Sequence, residues 1–587
     1  MRLGPLHIVN RAFLPIALFG ILAAPCLRVF PQEGKSYDAV PVKRPQGSAP
    51  QFPSPVSFSD VTDKLGISFR HDASTTVSKY LLETMGGGVA LLDYDNDGRL
   101  DIFFTNGARL EDTMAANAVP DKSDPRFWNR LYRQRGDSSF EDVTQKAGVK
   151  GTAYGFGAAA ADYDDDGFCD LFVTGYGGTA LLRNNGNGTF ADVTRKWGIK
   201  VTGWPASAGF FDFDKDGRLD LFVTRYLEWD FKKGSIVCGD VRQGNRSYCH
   251  PDNFKGTSSL LFHQNSKGFF EDVSELTGIS RSLGKALGVS FADLDDDGWT
   301  DIFVANDNAP QQAFRNLRNG KFEDIALGSG LAMDDKGRAF AGMGVDTGDY
   351  NNDGKQDLIV TAFSGEMYPL YRNVGDLFFD YVTGASGVGS STILGTGWGV
   401  KFSDVDNDGK RDLIFAQGHV SDVIEKTTDF LKYKQPLLLL RNTGNTFQNI
   451  SEASGSVFSR GLAARGMASG DLDNDGDIDF VIAQTNGPPI VLRNNGTSNH
   501  WVGIDLRGKN GSPGGSGAKI IVIDGAGSRH FSEVSSGGSY LSSSDPRVII
   551  GLGTFTRLKR IEIRWPTGGY QALEEPAVDM YHSIQEK

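Results

Sequence analysis

A nine-residue acidic pattern recurs seven times along this chain and constrains its fold more than any other feature. In the first copy, Asp93-Tyr-Asp-Asn-Asp-Gly98-Arg-Leu-Asp101, carboxylates stand at positions 1, 3, 5 and 9 and glycine at position 6. Alternate residues of a tight turn point inward, so this spacing brings several carboxylates to one centre, and the glycine allows the sharp bend. A calcium ion takes about six to eight oxygen ligands. The pattern therefore predicts seven calcium-binding loops, which we call acidic loops 1 to 7.

The predicted ligands of each loop are the side chains at positions 1, 3, 5 and 9 and the backbone carbonyl at position 7. In chain order they are Asp93, Asp95, Asp97, Arg99 and Asp101; Asp162, Asp164, Asp166, Phe168 and Asp170; Asp212, Asp214, Asp216, Arg218 and Asp220; Asp293, Asp295, Asp297, Trp299 and Asp301; Asp349, Asn351, Asp353, Lys355 and Asp357; Asp404, Asp406, Asp408, Lys410 and Asp412; and Asp471, Asp473, Asp475, Asp477 and Asp479. Only Asn351 departs from the acidic pattern, since it keeps an oxygen but loses a charge. We expect up to seven structural Ca²⁺ ions and no catalytic metal.

The acidic loops differ from EF-hands in their flanking segments. An EF-hand has a bidentate glutamate at position 12 and helices on both sides. Position 12 here is apolar, as at Phe104 and Val173, and the segments after each last aspartate are β-branched and aromatic. Such segments are typical of buried strands. Each loop is therefore predicted to join two strands.

Every acidic loop belongs to a larger repeated unit. A strand of small residues precedes the loop, an apolar strand comes after it, and two further strands resemble Leu-x-Arg-Asn and Phe-x-Asp-Val. Four strands per unit and seven units predict an all-β, seven-bladed β-propeller. Phe58-Ser-Asp-Val-Thr62 precedes the first loop, while the last unit stops after Leu492-Arg-Asn-Asn495. The N-terminal strand is therefore predicted to complete the last blade, which removes an open sheet edge.

The repeats resemble the FG-GAP (VCBS) repeats of integrin-like propellers. In the tail, four motifs resemble the ASPIC/UnbV module that follows such propellers in the cartilage acidic protein family: Gly517-Ala-Lys, Glu533-Val-Ser-Ser-Gly-Gly-Ser-Tyr-Leu-Ser542, Gly551-Leu-Gly553 and Arg564-Trp-Pro-Thr-Gly568. This resemblance covers about residues 55–585 and implies an exported calcium-binding propeller, without implying an activity. From the residues themselves, alternating apolar and polar positions with glycine turns over 500–587 predict a small β-sandwich.

The predicted organisation has four parts: a signal peptide at 1–25, a flexible leader at 26–51, the propeller at 52–497 and the ASPIC/UnbV-like domain at 498–587. Arg2 and Arg11 precede an apolar run that is too short to span a bilayer comfortably, as in a secretory signal. A secreted, periplasmic or cell-surface location is therefore expected. A lipid anchor at Cys26 is an alternative, although Pro25 before it fits a lipoprotein site poorly. No later stretch is long and apolar enough to predict a membrane span.

Charge and cysteine usage bound the possible partners. The formal net charge of −13 argues against nucleic acid as a partner, and the acidity is concentrated in the loops. Cys238 and Cys249 lie eleven residues apart in one insertion. In an exported protein this pair is predicted to form a disulfide, with two buried free thiols as the alternative.

Ligand recognition is predicted at the axial mouth opposite the acidic loops. Long insertions at 107–130, 226–256 and 418–436 come after second strands and so belong to that opposite face, and loops on a rigid scaffold often carry recognition. The predicted ligand contacts are Phe156, Arg225, Asn306, Asp307, Trp398, His419 and Arg465. In the alternative interpretation the insertions only cover blade edges, and Phe156, Met343 and Trp398 fill the channel as core.

Two functional classes are compatible with the sequence. The first is a non-enzymatic binding, adhesion or scaffold module whose partner is an extracellular protein or glycan. The alternative is an extracellular, carbohydrate-active propeller enzyme with a site built from scattered residues. The sequence contains no nucleophile-elbow, zinc-protease or nucleotide-loop motif in a suitable context. We therefore expect a binding module and no enzyme.

Overall fold

The computed structural model describes residues 33–37, 42–43, 49–240, 244–508, 515–535 and 537–587. The predicted signal peptide and Cys26 lie outside these ranges. Within them, no helix combines the length and the hydropathy that crossing a bilayer would require.

Seven four-stranded antiparallel sheets, blades 1 to 7, are arranged in order along the chain. Blade 1 contains Val89–Leu92, Asp101–Phe104, Arg130–Gln134 and Phe140–Asp142; blade 2, Tyr154–Ala161, Asp170–Tyr176, Ala180–Asn184 and Phe190–Asp192; blade 3, Pro205–Phe211, Asp220–Arg225, Leu260–Gln264 and Phe270–Asp272; blade 4, Ala286–Ala292, Asp301–Asn306, Gln312–Asn316 and Phe322–Asp324; blade 5, Val345–Gly348, Asp357–Val360, Leu370–Gly375 and Phe378–Tyr381; blade 6, Gly397–Ser403, Asp412–Gln417, Leu438–Asn442 and Phe447–Asn449; and blade 7, Ala464–Gly470, Asp479–Gln484, Ile490–Asn494 and Phe58–Asp60.

The blades form a closed ring around an axis lined by the first strands. Each first strand contacts the first strands of the two neighbouring blades, and blade 7 contacts blade 1. The second strands are buried on both faces, because each blade is sandwiched between its neighbours. This stacking explains why the segments after the acidic loops are apolar without alternation. The predicted seven-bladed propeller is confirmed.

The ring closes through its terminal strands, as the sequence predicts. Phe58 lies opposite Asn494 in the antiparallel pair that completes blade 7. A second set of contacts links every blade to the one before it. The third-strand amide donates to the carbonyl at position 2 of the preceding acidic loop, and Gln134 Nε2 donates to Leu472 O at 2.7 Å to close the set. The other six donors are Asn184, Gln264, Asn316, Asn373, Asn442 and Asn494.

The C-terminal domain is a small sandwich of two sheets, as predicted. One sheet contains Val548–Gly553, His500–Arg507 and Tyr581–Gln585; the other contains Arg529–Glu533, Lys519–Asp524, Leu558–Arg564 and Tyr570–Glu574. Aliphatic side chains of both sheets, among them Val502, Ile520 and Ile561, form its buried core.

Residues 537–545 of this domain enter the propeller axis, an arrangement that the sequence did not predict. We call this segment the axial plug. Ser539 pairs with Val345 of blade 5, and the Ser543 carbonyl accepts from the Leu91 N–H of blade 1 at 3.0 Å. Further hydrogen bonds reach the inner strands of blades 2, 3, 4 and 7, at Ala158, Ser207, Val289, Met467 and Ser469.

The remaining blade contacts the plug through an aromatic pair. The ring centroids of Trp398 in blade 6 and Tyr540 lie 4.9 Å apart. All seven blades therefore contact the axial plug, mostly through hydrogen bonds that involve main-chain atoms.

Short helices connect the blades and build the insertions. The α-helices are Thr144–Ala147, Ser274–Thr277, Ala326–Ser329 and Val388–Thr392, and the 3₁₀ helices are Leu81–Thr84, Pro125–Phe127, Lys233–Ser235, Pro251–Asn253, Ile279–Arg281, Ile424–Lys426, Ser451–Ser454 and Ser456–Ser459. The insertion at 226–256 belongs to blade 3 and is called the third insertion after that blade. It adds the hairpin Val237–Asp240 and Asn245–Ser247, against which Glu33–Gly34 pairs in parallel.

The prediction of a flexible leader over 26–51 is wrong for residues 33–37. These residues lie against the third insertion, and Tyr37 is buried. A free edge of the insertion hairpin and an aromatic pocket for the tyrosine offset the entropy lost on ordering. Residues 26–32, 38–41 and 44–48 lie outside the described residues.

The structure confirms the predicted Cys238–Cys249 disulfide. We expect the Cys238→Ser, Cys249→Ser double variant to have a free energy of unfolding lower by about 3 kcal/mol, because the disulfide closes a loop and so restricts the unfolded chain. Thermal melts compare this variant with Cys169→Ser, which removes the one free thiol of the described residues. A non-reduced digest should contain the linked peptide. Two alkylatable thiols at these positions in the native protein would contradict the assignment.

Candidate metal centres and the axial face

The first half of each acidic loop is held by its own first aspartate. In loop 1, Asp93 Oδ1 accepts from the Asp97 N–H at 3.0 Å and Oδ2 accepts from the Gly98 N–H at 2.8 Å. Gly98 is left-handed with φ 82°, as the turn requires, and Asn96 is also left-handed with φ 57°. The left-handed conformation at position 4 was not predicted from the sequence, although asparagine tolerates this conformation better than most residues. The same position is left-handed in the other loops, at Asp165, Lys215, Asp296, Asn352, Asn407 and Asn474.

The last aspartate fastens each loop to the third strand. Asp101 Oδ2 accepts from the Tyr94 N–H at 3.0 Å, and its Oδ1 accepts from the Gln134 N–H at 2.8 Å. Burial raises the pKa of Asp101 to about 8. The equivalent pair of backbone bonds is present at Asp170, Asp220, Asp301, Asp357, Asp412 and Asp479. Position 9 therefore has a structural role whether or not it also ligates a cation.

Position 3 carries a different kind of oxygen. Oδ1 of this aspartate is buried and without a hydrogen-bond partner in five loops, at Asp95, Asp164, Asp295, Asp406 and Asp473. A buried unpaired carboxylate oxygen is costly, so it needs a cation or a donor that the protein itself does not supply.

The other oxygen of the same aspartates pairs with an arginine of the third strand. Arg133 lies 2.6 Å from Asp95 Oδ2, and Arg441 lies 2.8 Å from Asp406 Oδ2. Equivalent pairs join Arg183 to Asp164, Arg315 to Asp295 and Arg493 to Asp473. The arginine in Leu-x-Arg-Asn thus orients the position 3 carboxylate, a role that was not predicted from the sequence. The signal was available, because the arginine recurs at the same place in the repeated unit.

Loops 3 and 5 depart from this arrangement. Blade 3 has His263 in place of the arginine, and its Nδ1 lies 3.0 Å from Asp220 Oδ1 and 3.6 Å from Asp214 Oδ2. Blade 5 has Asn351 at position 3, and Arg372 pairs instead with Asp380 at 2.8 Å. Where the carboxylate is lost, the arginine has another partner.

The donor sets fit a small hard cation. In loops 1, 2 and 3, carboxylate oxygens from positions 1, 3 and 9 lie within 4.8 Å of one another. In loop 4 the same holds for Asp293, Asp295 and Asp297. Oxygen ligands around one centre are the preference of Ca²⁺. Ligation of the cation by the position 7 carbonyls stays a prediction.

The C-terminal domain packs on the same face as the acidic loops. Lys519 Nζ lies 2.6 Å from Asp293 Oδ2 of loop 4, and the Tyr581 hydroxyl donates to Asp471 Oδ2 of loop 7 at 2.8 Å. Residues of loops 1 and 2 line a cavity of about 290 Å³ between the propeller and this domain. Neither contact could be predicted from the sequence, because no local pattern reports which surface a second domain will cover.

The prediction that seven residues contact a ligand at the axial mouth of the opposite face is contradicted by their burial. Six of the seven predicted ligand contacts are buried, namely Phe156, Asn306, Asp307, Trp398, His419 and Arg465. The seventh, Arg225, is only partly buried, and its guanidinium donates to Ser258 O at 2.7 Å. These side chains therefore serve packing and internal hydrogen bonding in this arrangement.

An aromatic cluster explains this burial. Tyr226, Trp229 and Phe231 of the third insertion pack with Tyr80 over the axis, in one core cluster with Trp398 and Phe156. Burial of aromatic side chains contributes strongly to stability, since each removes a large apolar area from water. The alternative interpretation of these residues as channel core is the one that the structure supports.

Comparison with known proteins agrees with the repeats and the tail. A model of FG-GAP-like repeats matches residues 93–168, 162–223, 293–360 and 349–415, and a model of ASPIC and UnbV matches residues 508–587.

The chain also matches curated relatives at modest identity. Cartilage acidic protein 1 of Mus musculus is 26% identical over 306 residues, which cover 51% of this chain and 44% of the relative. The Xenopus tropicalis protein of the same name is 24% identical over 361 residues, covering 58% and 52%. The chain thus spans about half the length of these relatives.

Among solved structures, BP39L lectin from Burkholderia pseudomallei is similar at 11% identity and a TM-score of 0.40, with 70% of this chain and 96% of the lectin covered. A likeness of that size bears on neither ligand nor activity. The propeller therefore contains FG-GAP-like repeats, and the domain packed against its acidic loops matches ASPIC and UnbV.

Proposed function

We propose that this protein is an exported, calcium-binding propeller that acts as a non-enzymatic binding module for an extracellular protein or glycan. The observation that carries the calcium proposal is the buried, unpartnered Oδ1 at position 3 of five loops. Each such oxygen belongs to a carboxylate whose other oxygen is already held by an arginine. A cation in the loop would complete its coordination.

The arrangement favours a structural role for the cations. Five of the loops share one design, and each is fastened to its third strand by the position 9 aspartate. Each loop also accepts a hydrogen bond from a side-chain amide of the following blade. In loop 1, Asn184 Nδ2 donates to Tyr94 O. A bound cation would therefore stiffen the contact between neighbouring blades. A catalytic metal would instead need one exceptional site with an open position.

Export and a binding role have separate support. The Cys238–Cys249 disulfide is typical of proteins outside the reducing cytosol. The insertions build a rigid surface over the axis, and rigid loops on a propeller suit recognition.

We expect calcium to raise the melting temperature of the purified protein, and EGTA to lower it again by removing the metal. Empty loops place several carboxylates within a few ångströms, so loading relieves repulsion and adds binding free energy to folding. Equilibrium dialysis with radioactive calcium should count the sites. The Asp95→Ala, Asp97→Ala double variant should lose about one ion at saturation.

The matched control is Asp335→Ala, which removes an exposed carboxylate outside the acidic loops. This variant should leave the number of bound calcium ions and the melting temperature unchanged. An identical melt with and without calcium, in protein verified to be metal-free at the start, would refute the calcium proposal. Turnover of a substrate by the pure protein would refute the non-enzymatic role.

A further inference from the structure

Residues 33–37 lie extended in a groove of the third insertion. Glu33 and Gly34 pair in parallel with Val237 and Cys238, and Ser36 forms a bridge with Cys249. The segment therefore crosses both halves of the disulfide, which holds the groove in shape. We call this surface the leader groove.

The groove binds the main chain of the segment through Asn253 and His250. Asn253 Oδ1 accepts from the Lys35 N–H at 3.0 Å, and Asn253 Nδ2 donates to Lys35 O at 2.6 Å. The His250 N–H also donates to Lys35 O, at 2.9 Å. These bonds involve only backbone atoms of the segment, so any extended peptide can make them.

Two contacts select the first half of the segment. A Cβ on Gly34 would lie 2.7 Å from Cys238 Sγ, so a larger residue would force a shift there. Lys35 Nζ lies 2.7 Å from Asp252 Oδ2, which selects a basic residue at the next position. Both side chains of this ion pair are partly exposed, so the pair contributes little to affinity and more to choice of sequence.

Tyr37 is the anchor of the segment. Its ring packs against His250 and Phe363, with centroids 5.0 and 5.4 Å away. Its hydroxyl donates to Asp307 Oδ2 at 3.4 Å, and that carboxylate also accepts from the hydroxyl of Tyr226. A buried aromatic ring with a polar tip in a matching pocket is the usual form of a binding hot spot.

We propose that the leader groove is a recognition site for an extended Gly-Lys-x-Tyr segment of a protein partner, and that the leader occupies it in cis. The inference deepens the proposed binding function and rests on it. The groove defines which residues the occupant carries. It leaves no room for a side chain at the first position, places the carboxylate of Asp252 beside the second and offers an aromatic pocket to the fourth. A tethered segment competes at an effective concentration of about millimolar, so a partner binds when it makes further contacts or when the leader is removed.

The test uses the full chain and a fluorescent peptide with the sequence of residues 33–43. The peptide should bind the Tyr37→Ala protein, whose own leader has lost its anchor, at least about tenfold more tightly than the parent protein, because the tethered leader no longer competes. Fluorescence anisotropy measures both affinities. A Tyr37→Ala peptide should bind with about 100-fold lower affinity. A Tyr37→Phe peptide should lose less affinity because it keeps the ring. A Gly34→Ala peptide should also bind weakly.

A second protein variant locates the binding. Adding Asn253→Ala to Tyr37→Ala should abolish peptide binding, since it removes both amide contacts to the peptide backbone. Failure of the peptide to bind Tyr37→Ala protein that melts like the parent would overturn the proposal. A parent dimer that dissociates on Tyr37→Ala substitution would assign the groove to the leader of a second copy and would also overturn it. The calcium-dependent melt is scored separately, so failure of the groove and failure of the calcium proposal remain distinguishable.

Discussion

Replacing Tyr540 by alanine is expected to lower the free energy of unfolding by about 3–5 kcal/mol, the usual cost of deleting a large buried aromatic side chain. Tyr540 is fully buried in the axial plug. Its ring packs on Trp398, and its hydroxyl donates to Met85 O at 2.8 Å. The variant leaves a cavity where the seven inner strands converge. It should also separate the unfolding of the C-terminal domain from that of the propeller in a calorimetric scan.

Two controls divide this effect. Tyr540→Phe keeps the ring and removes only the hydroxyl, so it should cost about 1–3 kcal/mol for the lost bond and the unpaired carbonyl. Tyr570→Ala removes a tyrosine that is more than half exposed and should change stability by less than about 1 kcal/mol. If Tyr540→Ala melts as a single transition at the parent temperature, the plug does not hold the two domains together.

Arg465→Ala should lower the free energy of unfolding by about 4 kcal/mol or more, because it leaves several buried acceptors without a donor. The side chain is fully buried in blade 7. Its guanidinium donates to Thr84 O at 2.7 Å and to Ala464 O at 2.8 Å, and it lies 4.1 Å from the ring centroid of Trp398. One side chain thus links blade 7 to blade 6 and to the 3₁₀ helix Leu81–Thr84.

Arg465→Met separates packing from hydrogen bonding, since it keeps an apolar stem of similar length. It should recover part of the loss but leave the carbonyls unpaired. Arg460→Ala is the matched surface variant: it breaks a half-exposed pair with Asp60 and should cost less than about 1 kcal/mol. An Arg465→Ala protein that denatures at the parent denaturant concentration would show that these contacts contribute little.

The repeat could be predicted from the sequence because each unit contains its own local evidence. A loop such as Asp93–Asp101 is a turn whose glycine, spacing and flanking apolar strands are all local, and seven copies fix the period. The strand at Phe58 could be assigned to blade 7 because the last unit lacks its fourth strand. Local evidence of this kind does not depend on how distant parts of the chain meet.

The axial face could not be predicted in the same way. The positions of Trp398 and Arg465 on the axis follow from the repeat, but their burial depends on insertions and on a plug that is distant in sequence. Nothing near Tyr540 indicates that it fills the channel of another domain. An aromatic ring or an arginine at a channel mouth has the same local pattern whether it contacts a ligand or lies beneath a lid.

The closure of blade 7 has a consequence for how the protein is made. Ser59 and Asn495, which contact each other beside the closing strands, are 436 residues apart. Synthesis at about 5–20 residues per second separates their emergence by roughly 20–90 s. During that interval the first strand has no partner, and neither the ring nor its axial plug is complete. The ring therefore cannot close until long after its first strand has been made, and the completed propeller depends on residues that are synthesised much later than that strand.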